Sequence, residues 1–371
     1  MTLPLRLAAG LLALMLASCA GQSPQSPAAQ VAVAPTASAA PTHAATTGFQ
    51  VADANPVLQP RRAPFWDRAY LDPGAIVFDH GQFHMFYNGI DGWPRPVGVG
   101  YATSPDGVTW TRQADEPVFG AQHLPRGGGS GGTNLFVTSA VVAPDGTWML
   151  YYYTLAGGSF MGRQTIGRAT APGPRGPWRA DPEPVLTPGP AGAWDSDQVS
   201  SPHVVRTDAG YALYYDGLSG ATSRIGMATS TDGIHWTKYN DPATTEPRYA
   251  AGDPVLAEQP NAWDSARVID PNVVRADDGW VMVYQSTPGP TKFGAGVAQL
   301  GYATSRDGVH WTRSAANPVL SSTDHPRWKG IYLITLVRRG PDYLLYFDVA
   351  GAQPGVQTSV FLATHMGPLV A

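Results

Sequence analysis

Three short segments carry the residues best suited to do chemistry: Leu71-Asp72-Pro73, Ser200-Ser201-Pro202-His203 and Ile269-Asp270-Pro271. Aligned on the glycine nine residues downstream (Gly81, Gly210, Gly279), Asp72, Ser201 and Asp270 superpose. The stretches leading into them also match: Trp66-Asp67, Trp194-Asp195-Ser196-Asp197 and Trp263-Asp264. Two carboxylates, several hydroxyls and a histidine held around one point can run acid–base chemistry, one group giving a proton while another takes one or attacks. An Asp before Pro can also simply bond backbone amides at a turn. The choice depends on whether the chain brings these segments together.

The elements that must do so are repeats. The segment Ala-Thr-Ser-x-Asp-Gly-x-x-Trp closes at Trp110, Trp236 and Trp311, with degenerate copies at 168–178 and 362–367. Five Ala-Thr landmarks roughly 60 to 75 residues apart indicate five units, each the size of a four-stranded antiparallel sheet. In the fourth unit the pattern predicts an inner strand over 268–274, a second over 280–285, a third over 297–303 and an outer one over 309–313. Asp-Gly turns supply the positive φ that tight hairpins need. Asp106, Asp232 and Asp307 are therefore read as turn caps, and the Trp residues as wedges between neighbouring sheets.

A second landmark, of the form x-Pro-Val-Leu/Phe, follows at 116–119, 183–186, 253–256 and 317–320, and once at the front as Asn55-Pro56-Val57-Leu58. Phe49 stands six residues before Asn55, where other units carry Trp. Residues 49–54 are expected to complete the last sheet and close the ring, leaving no radial edge exposed. The fold class is thus all-β, a five-bladed β-propeller. The entry loops of the inner strands and the loops between strands two and three should open on one face around the axis.

The ends and the composition set the context. Residues 1–19 read as an export signal: Arg6, an apolar run over 7–17 too short to span a bilayer, then Leu16-Ala17-Ser18-Cys19. Residues 20–47, rich in Ala, Pro, Ser, Gln and Thr and uncharged, read as a disordered linker. The propeller domain occupies 48–371. Cys19 is the single cysteine, so no internal disulfide is available. A formal net charge of −4, with 24 Lys plus Arg against 28 Asp plus Glu, argues against nucleic acid. A monomer without cofactor is expected.

A five-repeat propeller with Asp-Pro at the head of its first inner strand resembles the superfamily containing glycoside hydrolase families 43, 32, 68, 117 and 130. The resemblance implies that Asp72 is nucleophile or general base and that Asp270 is a second carboxylate that tunes the acid or fixes substrate. It also implies a Glu two residues before the third unit's Pro as general acid, but Ser200 stands there. The chain's four Glu residues, Glu116, Glu183, Glu246 and Glu258, lie elsewhere in the sequence. A serine does not donate a proton usefully near neutral pH, so a substitute acid is sought among Asp195, Asp197, Asp264 and His203. Asp197 is preferred because it is unique to its unit. By the same resemblance His203 could serve as acid or stand near an axial structural ion.

Trp93, in an insertion over 89–96, is the favoured stacking platform for a sugar. Trp66, Trp194, Trp263, Asn272 and His203 are further candidate substrate contacts. The Gly-rich stretch 126–132 lacks the Lys and the strand-to-helix setting of a phosphate loop and reads as a rim loop. Leu-Ala-Ser-Cys resembles the bacterial lipoprotein box, implying a lipid anchor at Cys19 in the cell envelope, at the outer membrane in a Gram-negative cell. Two functions are expected from the resemblance: a hydrolase of a plant or microbial glycan, furanose or pentose sugars favoured, or a carbohydrate-binding lipoprotein of the same fold that has lost its acid.

Overall fold

Gly- and Asp-bearing turns fold the chain into antiparallel hairpins that collect into five sheets. The computed structural model describes residues 48–92, 95–125, 134–160, 162–286, 298–351 and 357–370. The expected export signal, linker, Trp93 platform and 126–132 rim loop lie outside or largely outside them.

Strand β1 (Gln50–Val51) comes first in sequence. Blade 1 contains β2 (Tyr70–Asp79), β3 (Gln82–Ile90), β4 (Gly98–Ser104) and β5 (Thr111–Arg112), with β6 (Phe119–Gly120) also on β4. Blade 2 is β7 (Asn134–Val142), β8 (Trp148–Leu155), β9 (Ile166–Ala171) and β10 (Arg179–Ala180). Blade 3 is β11 (Gln198–Thr207), β12 (Gly210–Ser219), β13 (Thr222–Ser230) and β14 (Thr237–Lys238), with β15 (Pro254–Leu256) on β13. Blade 4 is β16 (Val268–Ala276), β17 (Gly279–Ser286), β18 (Gln299–Ser305) and β19 (Thr312–Arg313), with β20 (Leu320–Ser321) on β18. Blade 5 has β21 (Gly330–Arg339), β22 (Asp342–Ala350) and β23 (Thr358–His365), and β1 supplies its outer strand.

The expected closure is therefore present, with Gln50 opposite Thr364 and Val51 opposite Ala363. The outer strands are shorter than the pattern predicted. Instead of 309–313, blade 4 has only Thr312–Arg313, because the Asp307 carboxylate takes the amides of Val309 and His310 at 2.9 Å each and holds them in the turn. The third strand spans Gln299–Ser305, and residue 297, where it was expected to begin, lies outside the described residues.

The repeated Trp does wedge between sheets, and it does so with a partner. Tyr346 of blade 5 donates to Gly107 O at 2.7 Å, Tyr151 of blade 2 to Gly233 O at 2.9 Å, and Tyr214 of blade 3 to Gly308 O at 2.8 Å. Trp110, Trp236 and Trp311 pack edge-on against those same tyrosines, with centroids 5.9, 6.0 and 5.8 Å apart. Each Asp-Gly turn is thus docked on the adjacent blade.

Nearer the axis, polar side chains of the inner hairpins latch blade to blade. Asn88 exchanges two hydrogen bonds with the Val137 backbone (2.8 and 2.9 Å). Thr138 donates to Pro202 O at 2.8 Å, and Ser139 accepts from Val204 N at 2.9 Å. His203 Nε2 donates to Val273 O at 3.0 Å. Asn272 bonds Ile334 O and Leu336 N (3.0 and 3.1 Å), and Thr335 donates to Gly74 O at 2.7 Å. These contacts satisfy backbone groups on the free edge of the inner strands, the end strands of their sheets.

Candidate active site

Every inner strand carries a register shift near its start, after Asp72, Val137, Ser200, Ile269 and Ile331. At the head of that bulge Asp72 pairs with Asn88, Ser200 with Asp216, and Ile269 with Gln285. The register therefore corrects the glycine alignment by one residue. Gly81 lies in its hairpin turn, whereas Gly210 and Gly279 already open the second strand. Asp72 is equivalent to Ser200 and Ile269. Ser201 and Asp270 sit one position further on, both at positive φ (46° and 53°), and they meet directly, Ser201 Oγ donating to Asp270 Oδ1 at 2.6 Å.

At the end where the inner strands begin, a cavity of about 420 Å³ opens on the axis. One side of its wall is aromatic, with Tyr70, Phe136, Tyr153 and Phe160 from blades 1 and 2. The other is polar, with Ser200, Ser201, Asp216, Arg267 and Asp270 from blades 3 and 4. Phe136 braces the aromatic side, stacked on Tyr153 at 5.6 Å and edge-on to Tyr70 at 6.4 Å.

The polar side is a coupled pair of acids. Asp216 Oδ1 accepts the Asp270 amide at 2.8 Å. Burial, followed by the charge of Asp270, pushes the Asp216 carboxyl well above the usual range, while Ser201 and Arg267 pull the other way. Burial raises Asp270 to about 6, against the hydrogen bond from Ser201 and the charge of Arg267. Two interacting acids lose their protons in separate steps that belong to the pair, and both carboxyls here are held above the usual range. Arg267 is itself buried, donates to Ser223 Oγ at 2.8 Å and leaves Nε without a partner.

Asp72 lies on blade 1, not adjacent to blade 3 in the ring. Its Oδ1 accepts Gly74 N (2.8 Å) and Asn88 Nδ2 (2.7 Å), while Oδ2 has no partner in the structure. Burial raises this carboxyl to about 7, opposed by Asn88, Gly74 and Tyr70. It is wholly buried and does not itself line the cavity. Asp348 on β22 is the fourth carboxyl of the group: burial and then the charge of Asp72 hold it well above the usual range. Its Oδ1 accepts the amides of Tyr332 and Leu333 (3.1 and 2.7 Å), and its Oδ2 is unpartnered. Tyr153 is influenced by all four aspartates, and burial with those charges holds its phenol protonated far above the usual range.

The other residues proposed from sequence fall elsewhere. Asp197 is exposed, and its carboxylate accepts Gly220 N at 2.8 Å and Ser196 Oγ at 3.3 Å in a hairpin turn; the cavity wall does not include it. His203 lines a second cavity, of about 900 Å³, at the opposite end of the axis. Burial lowers its imidazole to about 4, so it is neutral and latched to blade 4 rather than poised as an acid. Among the described residues no group of three or more His, Cys, Asp or Glu is arranged to hold a metal ion. Asn272 ties blade 4 to blade 5 and is absent from the cavity wall.

Trp66, Trp194 and Trp263 are scaffold, stacked on Tyr87, Tyr215 and Tyr284 at 5.9, 5.9 and 5.4 Å. Those tyrosines donate to Asp67, Asp195 and Asp264, which also pair with Arg112, Lys238 and Arg313. This thrice-repeated unit ties Asp67, Asp195 and Asp264 into the scaffold, which removes Asp195 and Asp264 from the candidate acids. It also fixes the site. The residues that follow the three scaffold tyrosines are Asn88, Asp216 and Gln285, of which Asp216 and Gln285 line the cavity. Next come Gly89 and Gly217, where a Cβ would meet Trp66 at 2.7 Å and Trp194 at 2.2 Å. Asp216 and Asp348 lie on second strands, whereas the sequence candidates lie on the inner strands, their entry loops and an insertion; the Tyr-Asp-Gly and Phe-Asp steps were the available signal.

No protein-family model matches the chain. In sequence it is 25% identical over 238 residues to a 1,2-β-oligomannan phosphorylase of Thermoanaerobacter sp., covering 62% of this chain and 69% of that one. Among solved structures it resembles a family-130 protein described with glycoside hydrolases that target β-1,2 mannosidic linkages in Candida mannan (TM-score 0.62, 18% identity, 85% of this chain and 93% of that chain). It also resembles a glycosyl hydrolase from Bacteroides ovatus (TM-score 0.61, 18% identity, 85% and 93%) and a thermostable family-43 glycoside hydrolase (TM-score 0.59, 15% identity, 83% and 96%). The chain therefore has the five-bladed propeller fold of these glycoside hydrolases, with sequence similarity to a phosphorylase of an oligomannan.

Proposed function

We propose that the protein hydrolyses glycosidic bonds of an oligo- or polysaccharide in the axial cavity. One observation carries the reading: Asp216, on the cavity wall, is a buried carboxyl that accepts the Asp270 amide and is raised by burial and by the charge of Asp270 beside it. It stands directly opposite Ser200, so blade 3 keeps an acid although the expected Glu is missing. Asp216 would protonate the leaving oxygen, as Asp270 sustains its high pKa. Asp72, on a blade not adjacent to that acid and poised near neutrality, would serve as general base for the attacking water. Such a division between two carboxyls in different environments is what glycoside cleavage needs. The acid on blade 3 favours catalysis over a binding-only protein.

Water is favoured over phosphate as the acceptor. Among the described residues the cations on the cavity wall are Arg267 and Lys329, and the charge of Asp270 acts on Arg267. A phosphate dianion would have to enter beside four buried carboxyls, Asp72, Asp216, Asp270 and Asp348. The similarity to an oligomannan phosphorylase supports a β-mannoside as the first substrate to try; it gives no support to the furanose or pentose preference expected from sequence. The test is a panel of manno-oligosaccharides, arabinan, xylan and fructan, with and without inorganic phosphate, using wild type, Asp216→Asn and Asp72→Asn. Sugar release without phosphate that both variants lose supports the reading. Glycan binding without turnover, or release only with phosphate, refutes it.

The lipoprotein box supports lipidation at Cys19 and a place in the cell envelope. Cys19→Ala should move the protein from the membrane fraction to the soluble fraction; unchanged fractionation would rule the anchor out.

A further inference from the structure

The base assigned above is sealed from the cavity, and the structure suggests how it could act there. Tyr70 and Asp72 lie two residues apart on β2, ahead of the bulge, and so face the same side of the strand. Leu71 between them is buried in the opposite direction, in the core cluster with Tyr87 and Met85. Tyr70 lines the cavity; Asp72 does not. The Asp72 oxygen left over, Oδ2, is buried without a partner, a costly arrangement unless something uses it. We propose that Tyr70 is the catalytic relay between the cavity and Asp72, its hydroxyl taking a proton from the attacking water as it gives its own to Asp72 Oδ2.

This rests on the hydrolase reading. The step balances: the water oxygen bonds to the anomeric carbon as the glycosidic C–O bond breaks, and the leaving oxygen takes the Asp216 proton. The water proton goes to the Tyr70 oxygen, and the Tyr70 proton goes to Asp72. The phenol need never exist as a phenolate. Burial and the negative charges of Asp72 and Asp348 hold it protonated, which suits a group that gives and takes in one motion. Around the pair, Asp348 comes from β22, Tyr153 from β8 and Asn88 from β3; Tyr70 is the one of the cavity phenols that shares a strand face with Asp72.

The experiment is Tyr70→Phe, which keeps the ring against Phe136, assayed beside Asp72→Asn on an aryl glycoside that the wild type cleaves. Loss of a general base costs on the order of 100-fold or more, so both variants should lose about that much in kcat with KM nearly unchanged. Sodium azide needs no deprotonation to attack, so it should restore turnover in both and yield the glycosyl azide. If Tyr70→Phe is as active as wild type, or is impaired but not rescued while Asp72→Asn is, the relay is wrong even though the hydrolase reading stands. Absence of cleavage by the wild type would overturn both.

Discussion

Replacing Asp72 by Asn should stabilise the protein above neutral pH while removing its activity. The carboxyl is wholly buried and raised from 3.8 to about 7 by that burial. A raised acid contributes stability that is fully present below the unfolded value and is lost as pH climbs through the folded one. Between pH 4 and pH 7 the wild type therefore loses stability from this group. A displacement of about three pH units at 1.36 kcal/mol each comes to roughly 4 kcal/mol. Asn carries no such cost. Its amide oxygen can keep the bonds from Gly74 N and Asn88 Nδ2 that Asp72 Oδ1 accepts, and its NH₂ would occupy the place of the unpartnered Oδ2. Removing the charge of Asp72 also relieves Asp348, which that charge raises, and this adds with the same sign. Urea unfolding of both proteins at pH 4, 6 and 8 measures the difference, which should grow by about 4 kcal/mol in favour of the variant from the lowest pH to the highest. Parallel curves would show that the carboxyl is not perturbed by burial, and a base poised near neutrality would have to be abandoned.

Other consequences follow from the same contacts. Asp270→Asn removes the charge that helps raise Asp216, so Asp216 should lose its proton earlier and the alkaline limb of kcat/KM should move to lower pH; an unmoved limb would separate the two residues. Gly308→Ala places a Cβ 2.7 Å from the Tyr214 hydroxyl at a φ of +80°, and thermal unfolding should show a loss of about 1–3 kcal/mol, the scale of backbone strain at such sites; Tyr214→Phe should cost about 1 kcal/mol through its buried hydrogen bond to Gly308 O. Asn272→Ala should lower stability by about 1–3 kcal/mol by stranding Leu336 N and Ile334 O and leave KM unchanged, whereas a rise in KM would return Asn272 to the substrate site.

The repeat was legible because hairpin turns and wedge aromatics are local devices: Asp307, Gly308 and Trp311 act within a few residues and need no distant partner to declare themselves. Closure by the front strand was legible for a related reason, since Phe49 and Asn55 hold the spacing of a unit whose other members lie at the far end. Site residues are different, because what makes them reactive is burial among residues distant in sequence. Asp216 and Asp232 are both aspartates beside a glycine. Asp232 caps an exposed turn and is held well below the usual carboxylate range by the hydrogen bonds of His235 and Ile234, while Asp216 is raised by burial and by a residue 54 positions away.

The one-residue error in the glycine alignment shows the same limit. A strand slipped by one residue turns each side chain to the opposite face, so a hairpin that places Gly81 in its turn and one that opens a strand with Gly210 cannot be told apart without the ladder. That single step decided whether Asp72 was matched with Asp270 or with Ser200. Matched with Ser200, whose cross-strand partner is Asp216, the first and third blades each contribute one carboxyl at the same level of the ring. Where the serine stands in place of the expected acid, a buried carboxyl lies opposite it on the second strand.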